Sequence, residues 1–315
     1  MKNNLVFAFL ACLLAAGQLS AQDSPLLSKL NDSLSAYAKP VYVTGTFKAT
    51  HVVNMQSVEA PAGGALSFLI QHRFGALNSG IYNFFGLDNA NTRLGLEYGI
   101  TDRLAVGIGM SSLSKTYDGF IKYKLLRQTE MSNRMPVTIS VLGTISNFTD
   151  SVAQYNYPFE ASSAVKLSGS NRTVYTAQLL IARKFTRNFS FELTPTYLHY
   201  NVVPSTEDKN DVFAICAGAR MKITKRMSIN AEYNYFPSGQ MVSYERYDCF
   251  SLSWDIETGG HVFQLVFSNS QSMIESQYIT QTAGSWGKGD IYFGFNISRN
   301  FNLSKKAKNN AVPKS

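Results

Sequence analysis

Arg93-Leu94-Gly95-Leu96-Glu97-Tyr98-Gly99-Ile100, then Thr101-Asp102-Arg103, then Leu104-Ala105-Val106-Gly107-Ile108-Gly109-Met110, is the stretch that decides the fold. In the first run the even positions are large and apolar, and the odd ones are charged or glycine. In the second, Leu104, Val106, Ile108 and Met110 share one face, with Ala105, Gly107 and Gly109 on the other. Alternation with period two marks strands with two unlike faces. Three polar residues between two such runs close a hairpin.

The same pattern recurs along the chain. Phe189, Phe191, Leu193 and Tyr197 alternate with Ser190, Glu192, Thr194 and Thr196. Ile229, Ala231, Tyr233 and Tyr235 alternate with Ser228, Asn230, Glu232 and Asn234. Near the end, Ile291, Phe293, Phe295 and Ile297 alternate with Asp290, Tyr292, Gly294 and Asn296. The turn recurs too, as Phe185-Thr186-Arg187-Asn188-Phe189 and Ile223-Thr224-Lys225-Arg226-Met227.

The second face carries the decision between soluble and membrane β-protein. A soluble sheet meets water with many Lys and Glu, whereas this face is mostly Gly, Ser, Thr, Ala and Asn. Small residues suit a curved wall around a confined lumen, and aromatics on the opposite face suit lipid and its interfaces. Charged residues make up 16% of the chain, against about 25% in soluble domains. No stretch after residue 22 is long and apolar enough for a spanning helix. The expected fold is therefore all-β: an antiparallel up-and-down transmembrane barrel of about 12 strands, with a short N-terminal periplasmic segment. A soluble periplasmic or secreted ligand-binding β-protein is the competing reading.

Short turns belong on the periplasmic side of such barrels and long loops outside. That assigns residues 75–89, 111–116, 148–172, 201–210, 237–246 and 270–286 outside. Strands are then expected at 65–74, 90–100, 104–111, 117–127, 136–147, 173–185, 189–200, 211–223, 227–236, 247–256, 261–269 and 287–297. The strand-like segment 41–54 remains unplaced, as a periplasmic arm, a plug or an extra strand. Ile297-Ser298-Arg299-Asn300-Phe301 resembles the turn motif, as if a further strand were about to begin. A terminal aromatic is expected of such barrels, and Phe301 lies well before the end.

The first 21 residues read as a cleaved secretory signal, with Lys2 ahead of an apolar core from Leu5 to Ala16 and small residues Ser20-Ala21 before Gln22. Cys12 sits inside that core after Phe9-Leu10-Ala11, a poor match to a lipoprotein signal. Residues 22–63 form a periplasmic segment, a short helix near 24–39 plus the strand-like arm. Residues 64–303 form the barrel and 304–315 a polar tail.

A net charge of +8 raises nucleic-acid binding, but the basic residues are scattered singly over turns and alternate strand positions rather than clustered. Cys216 and Cys249, the cysteines left after export, make no framework and have no zinc-ligand spacing nearby. No phosphate loop, dinucleotide fingerprint or haem motif is present. No metal or other cofactor is expected.

Four histidines bear on catalysis: His51, His72, His199 and His261. Parity puts His72 and His199 on the outer face with no Ser or acidic partner placed beside them, so an interfacial role is expected of each. A membrane-embedded lipid-modifying enzyme is nonetheless the alternative function. The stronger lead is the lumen. Parity puts Arg73, Arg93, Glu97, Lys122, Lys124, Glu192, Arg220 and Glu232 inside. They form either a selectivity ring or mutually paired filling, since buried charges need partners. The basic members would bias any pore toward anions. Phe85-Gly86-Leu87-Asp88, in the first outer loop, is either a binding loop or fold-in constriction, or a glycine-containing turn packed on aromatics with Asp88 capping it or pairing with Arg93.

One region is more specific than periodicity. His72-Arg73-Phe74-Gly75, Asn78-Ser79-Gly80, Phe84 to Asp88, Arg93-Leu94-Gly95, Lys115-Thr116-Tyr117-Asp118-Gly119-Phe120 and Lys124 to Gln128 together resemble an uncharacterised family of Gram-negative outer-membrane β-barrel proteins. The resemblance starts near Phe47, covers most of the mature chain and weakens after about residue 150. Many members carry Arg where this chain has Met110. It implies an outer-membrane barrel and no catalytic residues. The expected role is a non-enzymatic barrel, a narrow channel or structural component. Its partners would be outer-membrane lipid, lipopolysaccharide and the barrel-assembly machinery, with no nucleic acid and a solute the sequence does not name.

Overall fold

The computed structural model describes residues 41–130, 135–149 and 169–303. The signal sequence, the helix near 24–39, most of the loop 148–172 and the polar tail fall outside these residues. Val41 and Glu130 belong to a separate small unit, in which Glu130 N–H donates to the Val41 carbonyl at 2.9 Å.

Twelve strands form one closed antiparallel barrel in which sequence neighbours pair and the first strand pairs with the last. They are β1 Ala65–Ala76, β2 Ala90–Gly99, β3 Leu104–Ser111, β4 Thr116–Leu126, β5 Thr138–Phe148, β6 Thr173–Lys184, β7 Phe189–Tyr200, β8 Asp211–Lys222, β9 Met227–Tyr235, β10 Cys249–Thr258, β11 His261–Ser268 and β12 Tyr292–Asn302. Closure leaves no unpaired sheet edge, which lipid demands.

The tight turns set the register. At Thr101, Thr186 and Thr224 the threonine hydroxyl accepts a backbone N–H from two residues on. Thr101 and Thr186 also cap the first residue of the next strand. Each turn thereby satisfies its own backbone.

The last strand departs from expectation. Ile297 to Phe301 is no turn: it continues β12, with Leu66 opposite Phe301 and Ala65 opposite Asn302. Polar Ser298 and Asn300 imitate turn chemistry, but here they are the inward half of a strand. Phe301 is thus an aromatic close to the end of the final strand.

Alternation sorts the wall. Leu94, Leu96, Ile108, Ile121, Ile145, Phe213, Ile229, Trp254 and Phe267 stand exposed on the outside. Inside, small residues make room for large neighbours. A methyl group at Gly109 would lie 2.5 Å from Arg93 Nη2 and 2.7 Å from Asp118 Oδ1. The glycine face of β3 is therefore the space into which a buried ion pair folds. Pro195, in mid-strand on the lipid side, has no N–H to give; the ladder between β6 and β7 skips it and resumes at Leu193.

Two segments lie inside the lumen. Residues 46–58 are not an arm beneath the barrel but a hairpin inside it. His51 pairs with Gln56, Val52 N–H donates to the Met55 carbonyl, and Val52, Val53 and Met55 are fully buried. Of the three places open to segment 41–54, its residues 46–54 take that of a plug. The second segment is the connection from β11 to β12, which lies at the end of the barrel opposite the short turns but folds inward. Residues 272–280 are buried, with one helical turn at Glu275–Tyr278. Tyr278 and Ile279 share a buried apolar cluster with Val52, Val53 and Met55 of the hairpin.

Candidate functional site: a lumen closed by its own chain

The hairpin tip, Val52 to Met55, is held by side chains from β1, β9, β11 and β12. Glu232 of β9 accepts the backbone N–H groups of Val53, Asn54 and Met55 on one oxygen, at 3.2, 2.9 and 3.0 Å. Gln264 of β11 donates to the Val52 carbonyl at 2.9 Å and Asn296 of β12 to the Val53 carbonyl at 2.9 Å. Arg73 of β1, fully buried, donates to Asn54 Oδ1 at 2.7 Å and to Asn296 Oδ1 at 2.9 Å. Hydrogen bonds to charged groups contribute about 1.5–3 kcal/mol each, so this tip is the firmest contact between plug and wall.

Below the tip the same logic continues. Glu192 of β7 accepts Val58 N–H at 2.8 Å. Lys122 of β4 donates to the carbonyls of Ser57 and Glu59 at 2.9 and 3.0 Å. Lys124 lies 3.9 Å from Glu59, and Lys48 of the plug lies 2.9 Å from Glu257 of β10. Glu97 of β2 faces His51 at 3.6 Å. Burial, with Arg93 and Lys122 nearby, holds the His51 imidazole well below its usual pKa. It therefore meets Glu97 uncharged. Gly218 of β8 gives the plug space: a methyl group there would lie 3.0 Å from Val52 and 3.2 Å from Met55.

The remaining lumen charges pair across the wall. Arg93 forms a two-pronged bond with Asp118 at 2.9 and 2.5 Å and also donates to Gln71. Arg220 reaches Glu257 at 3.1 Å and Ser228 at 3.2 Å. The lumen charges have two readings, a ring or paired filling, and Arg73, Arg93, Lys122 and Lys124 are all found against partners. Arg93 is matched by Asp118, and the other three serve the plug. Asp88 does not pair with Arg93. Asp88 is exposed, in a loop where Phe84 and Phe85 adopt φ of 46° and 55° and Gly86 lies against Gly75. Phe85 and Leu87 point to solvent rather than packing on aromatics.

Several residues of the site were invisible to parity alone. Asp118 looked like a loop end, and Gln264 and Asn296 were ordinary polar strand positions. Glu275 lay in a loop placed outside. Burial pushes its carboxyl up to about 7, with Asp118 adding to the rise. The signal for Asp118 lay in Arg93, a buried cation two strands away that needed an anion.

On the outer face His72 stacks on Phe295 with ring centroids 4.9 Å apart. His199 does have an acidic partner: its Nδ1 lies 2.7 Å from Asp211, which also accepts the Tyr197 hydroxyl. The partner sits directly across the β7–β8 ladder. Among the described residues, no cluster of three His, Cys, Asp or Glu side chains could hold a metal ion. Cys216 and Cys249 are free and buried.

Residues 47–301 match the family described as a membrane-bound β-barrel domain (DUF5777). The chain belongs to this family. The DUF5777 match begins at the plug and ends at the last aromatic of β12, so hairpin and wall lie within one domain. Among solved structures, the NanC porin resembles this DUF5777 barrel over 74% of its chain and 98% of the porin's, at 9% identity and a TM-score of 0.47. The KdgM porin covers 75% and 99%, at 10% and 0.45. An outer-membrane channel from Pseudomonas putida F1 covers 77% and 97%, at 12% and 0.44. No curated protein matches the chain. The family match, with the apolar outer face, makes this an integral membrane β-barrel.

Proposed function

We propose that the chain is a non-enzymatic outer-membrane barrel whose lumen is closed at rest and opens when the N-terminal hairpin withdraws. The short turns and the plug's point of entry then face the periplasm, and the β11–β12 connection closes the outer side. The observation that carries this reading is the grip of Glu232 on three consecutive backbone N–H groups of the plug tip. A purely structural barrel needs side chains to fill its lumen; it has no need of a detachable segment seated by directed bonds. Lipid and lipopolysaccharide surround the wall, and the assembly machinery delivers it.

The test is conductance in planar bilayers. The intact chain holds the bilayer closed. A protease site inserted between Ala62 and Gly63 lets the plug be cut after folding and washed out in urea, and the released barrel then conducts. Glu192→Leu combined with Glu232→Leu is a second route, in which the uncut chain flickers open. A bilayer that stays closed in both cases overturns the gating reading.

A second reading, a lipid-directed enzyme, draws on the Tyr197–Asp211–His199 group at the loop end of the outer face. An imidazole oriented by a carboxylate is two-thirds of a hydrolytic constellation. Any lipid hydrolysis by the purified barrel that survives His199→Ala removes that reading.

A further inference from the structure

The wall reads the plug's main chain more than its side chains. Glu192 and Glu232 accept N–H groups from Val53, Asn54, Met55 and Val58. Lys122, Asn230, Gln264 and Asn296 donate to the carbonyls of Ser57, Glu59, Val52 and Val53. Acceptors thus meet backbone donors, and donors meet backbone acceptors. Every peptide carries these groups at the same repeat. The plug's apolar side chains meet softer surroundings: Val52, Val53 and Met55 share a buried cluster with Leu142, Leu198 and Val212 of the wall, where shape can adapt. Directed side-chain contacts to the wall are made by Lys48, His51, Asn54 and Glu59.

We propose that the seat of the hairpin is a peptide-binding site, and that the solute it takes once the plug withdraws is a short peptide with apolar side chains. This rests on the gating reading, because the seat is occupied while the plug is in place. The plug is then an internal substitute for its own solute. An uncharged sugar would leave Glu192, Glu232 and Lys122 facing hydroxyls with no ordered donor and acceptor repeat. A small ion would leave them without partners once the hairpin had gone, at the cost that buried charges incur.

The experiment uses the cut barrel with its plug washed out. Three labelled probes are followed by fluorescence polarisation: a peptide of residues 46–60, the same residues in scrambled order, and the scrambled peptide N-methylated at alternate residues. A maltooligosaccharide of similar mass competes against them. The expected result is that both unmethylated peptides bind within about threefold of one another. Methylation weakens binding at least tenfold, Glu232→Leu in the cut barrel does the same, and the sugar displaces nothing. Binding of the 46–60 peptide alone, or indifference to methylation, overturns the inference. Conductance separates the two ideas. A released barrel that conducts but ignores the scrambled peptide keeps the gate and loses the peptide site. One that binds the scrambled peptide but carries no current keeps the site and loses the gate.

Discussion

The two closures of the lumen are built differently. The N-terminal hairpin is seated by directed bonds from buried charged and amide side chains: Glu232, Glu192, Lys122, Gln264 and Asn296. The β11–β12 connection is held chiefly by fit. Tyr278 and Ile279 are completely buried among apolar neighbours. Its polar ties are to uncharged groups: Tyr200 donates to the Ser276 carbonyl at 2.7 Å, and Gln277 reaches Thr116 at 3.2 Å. A seat made of charged hydrogen bonds is strong while complete and fails abruptly when one partner goes. An apolar seat loosens in proportion to the volume removed. The first suits a latch and the second a fixed lid.

The contrast is broken most completely by removing the hairpin after folding. Planar-bilayer current should go from none to a steady open level, while hydrogen exchange of residues 272–280 stays slow because Tyr200, Thr116 and Ser146 of the wall still hold the lid. Simultaneous loss of protection in the lid would show that the two closures are one. Next in size is Glu232→Leu, which strips three N–H groups of their acceptor. About 3 kcal/mol of seating should vanish, read as rapid exchange at Val53 to Met55 with the strands unchanged. Tyr278→Ala opens a cavity beside the lid and should cost about 3 kcal/mol there. It should produce partial rather than stepwise opening in single-channel records. The smallest effect is that of pH on the lid. Burial raises the Glu275 carboxyl from 4.5 to about 7. The inward position is therefore fully favoured below about 4.5 and loses stability as pH climbs through 7. Exchange of the lid amides, corrected for intrinsic rate, should quicken over that window and stay flat in Glu275→Gln.

The wall was legible because its physics is local. Period-two alternation with a small inner face places Arg93, Glu97 and Glu232 inward without reference to anything distant, and the threonine turns set where strands begin. The plug was not legible, because a lumen accepts what a surface accepts. Val52, Val53 and Met55 mark a buried segment, yet nothing within 41–54 says which body buries it. The inward fold of the lid was hidden for the converse reason: Ser276 and Thr280 read as solvent-loving, and Ser146 and Tyr200 of the wall satisfy them as water would. Ile297 to Phe301 failed on ambiguity, since Ser-Arg-Asn serves as well in a strand's inward row as in a turn. Pairings such as Arg93 with Asp118, and His199 with Asp211, depend on register between strands, which a single sequence does not disclose.

The seam where β1 meets β12 carries a consequence for biogenesis. Arg73 belongs to the first strand and Asn296 to the last, they bond to each other, and both hold the tip of the hairpin. The chain's first and last strands meet only when the cylinder shuts, so this part of the hairpin's seat exists only in a finished wall. A nascent barrel whose hairpin is missing from the interior lacks these ties across its own seam, though the backbone ladder there remains.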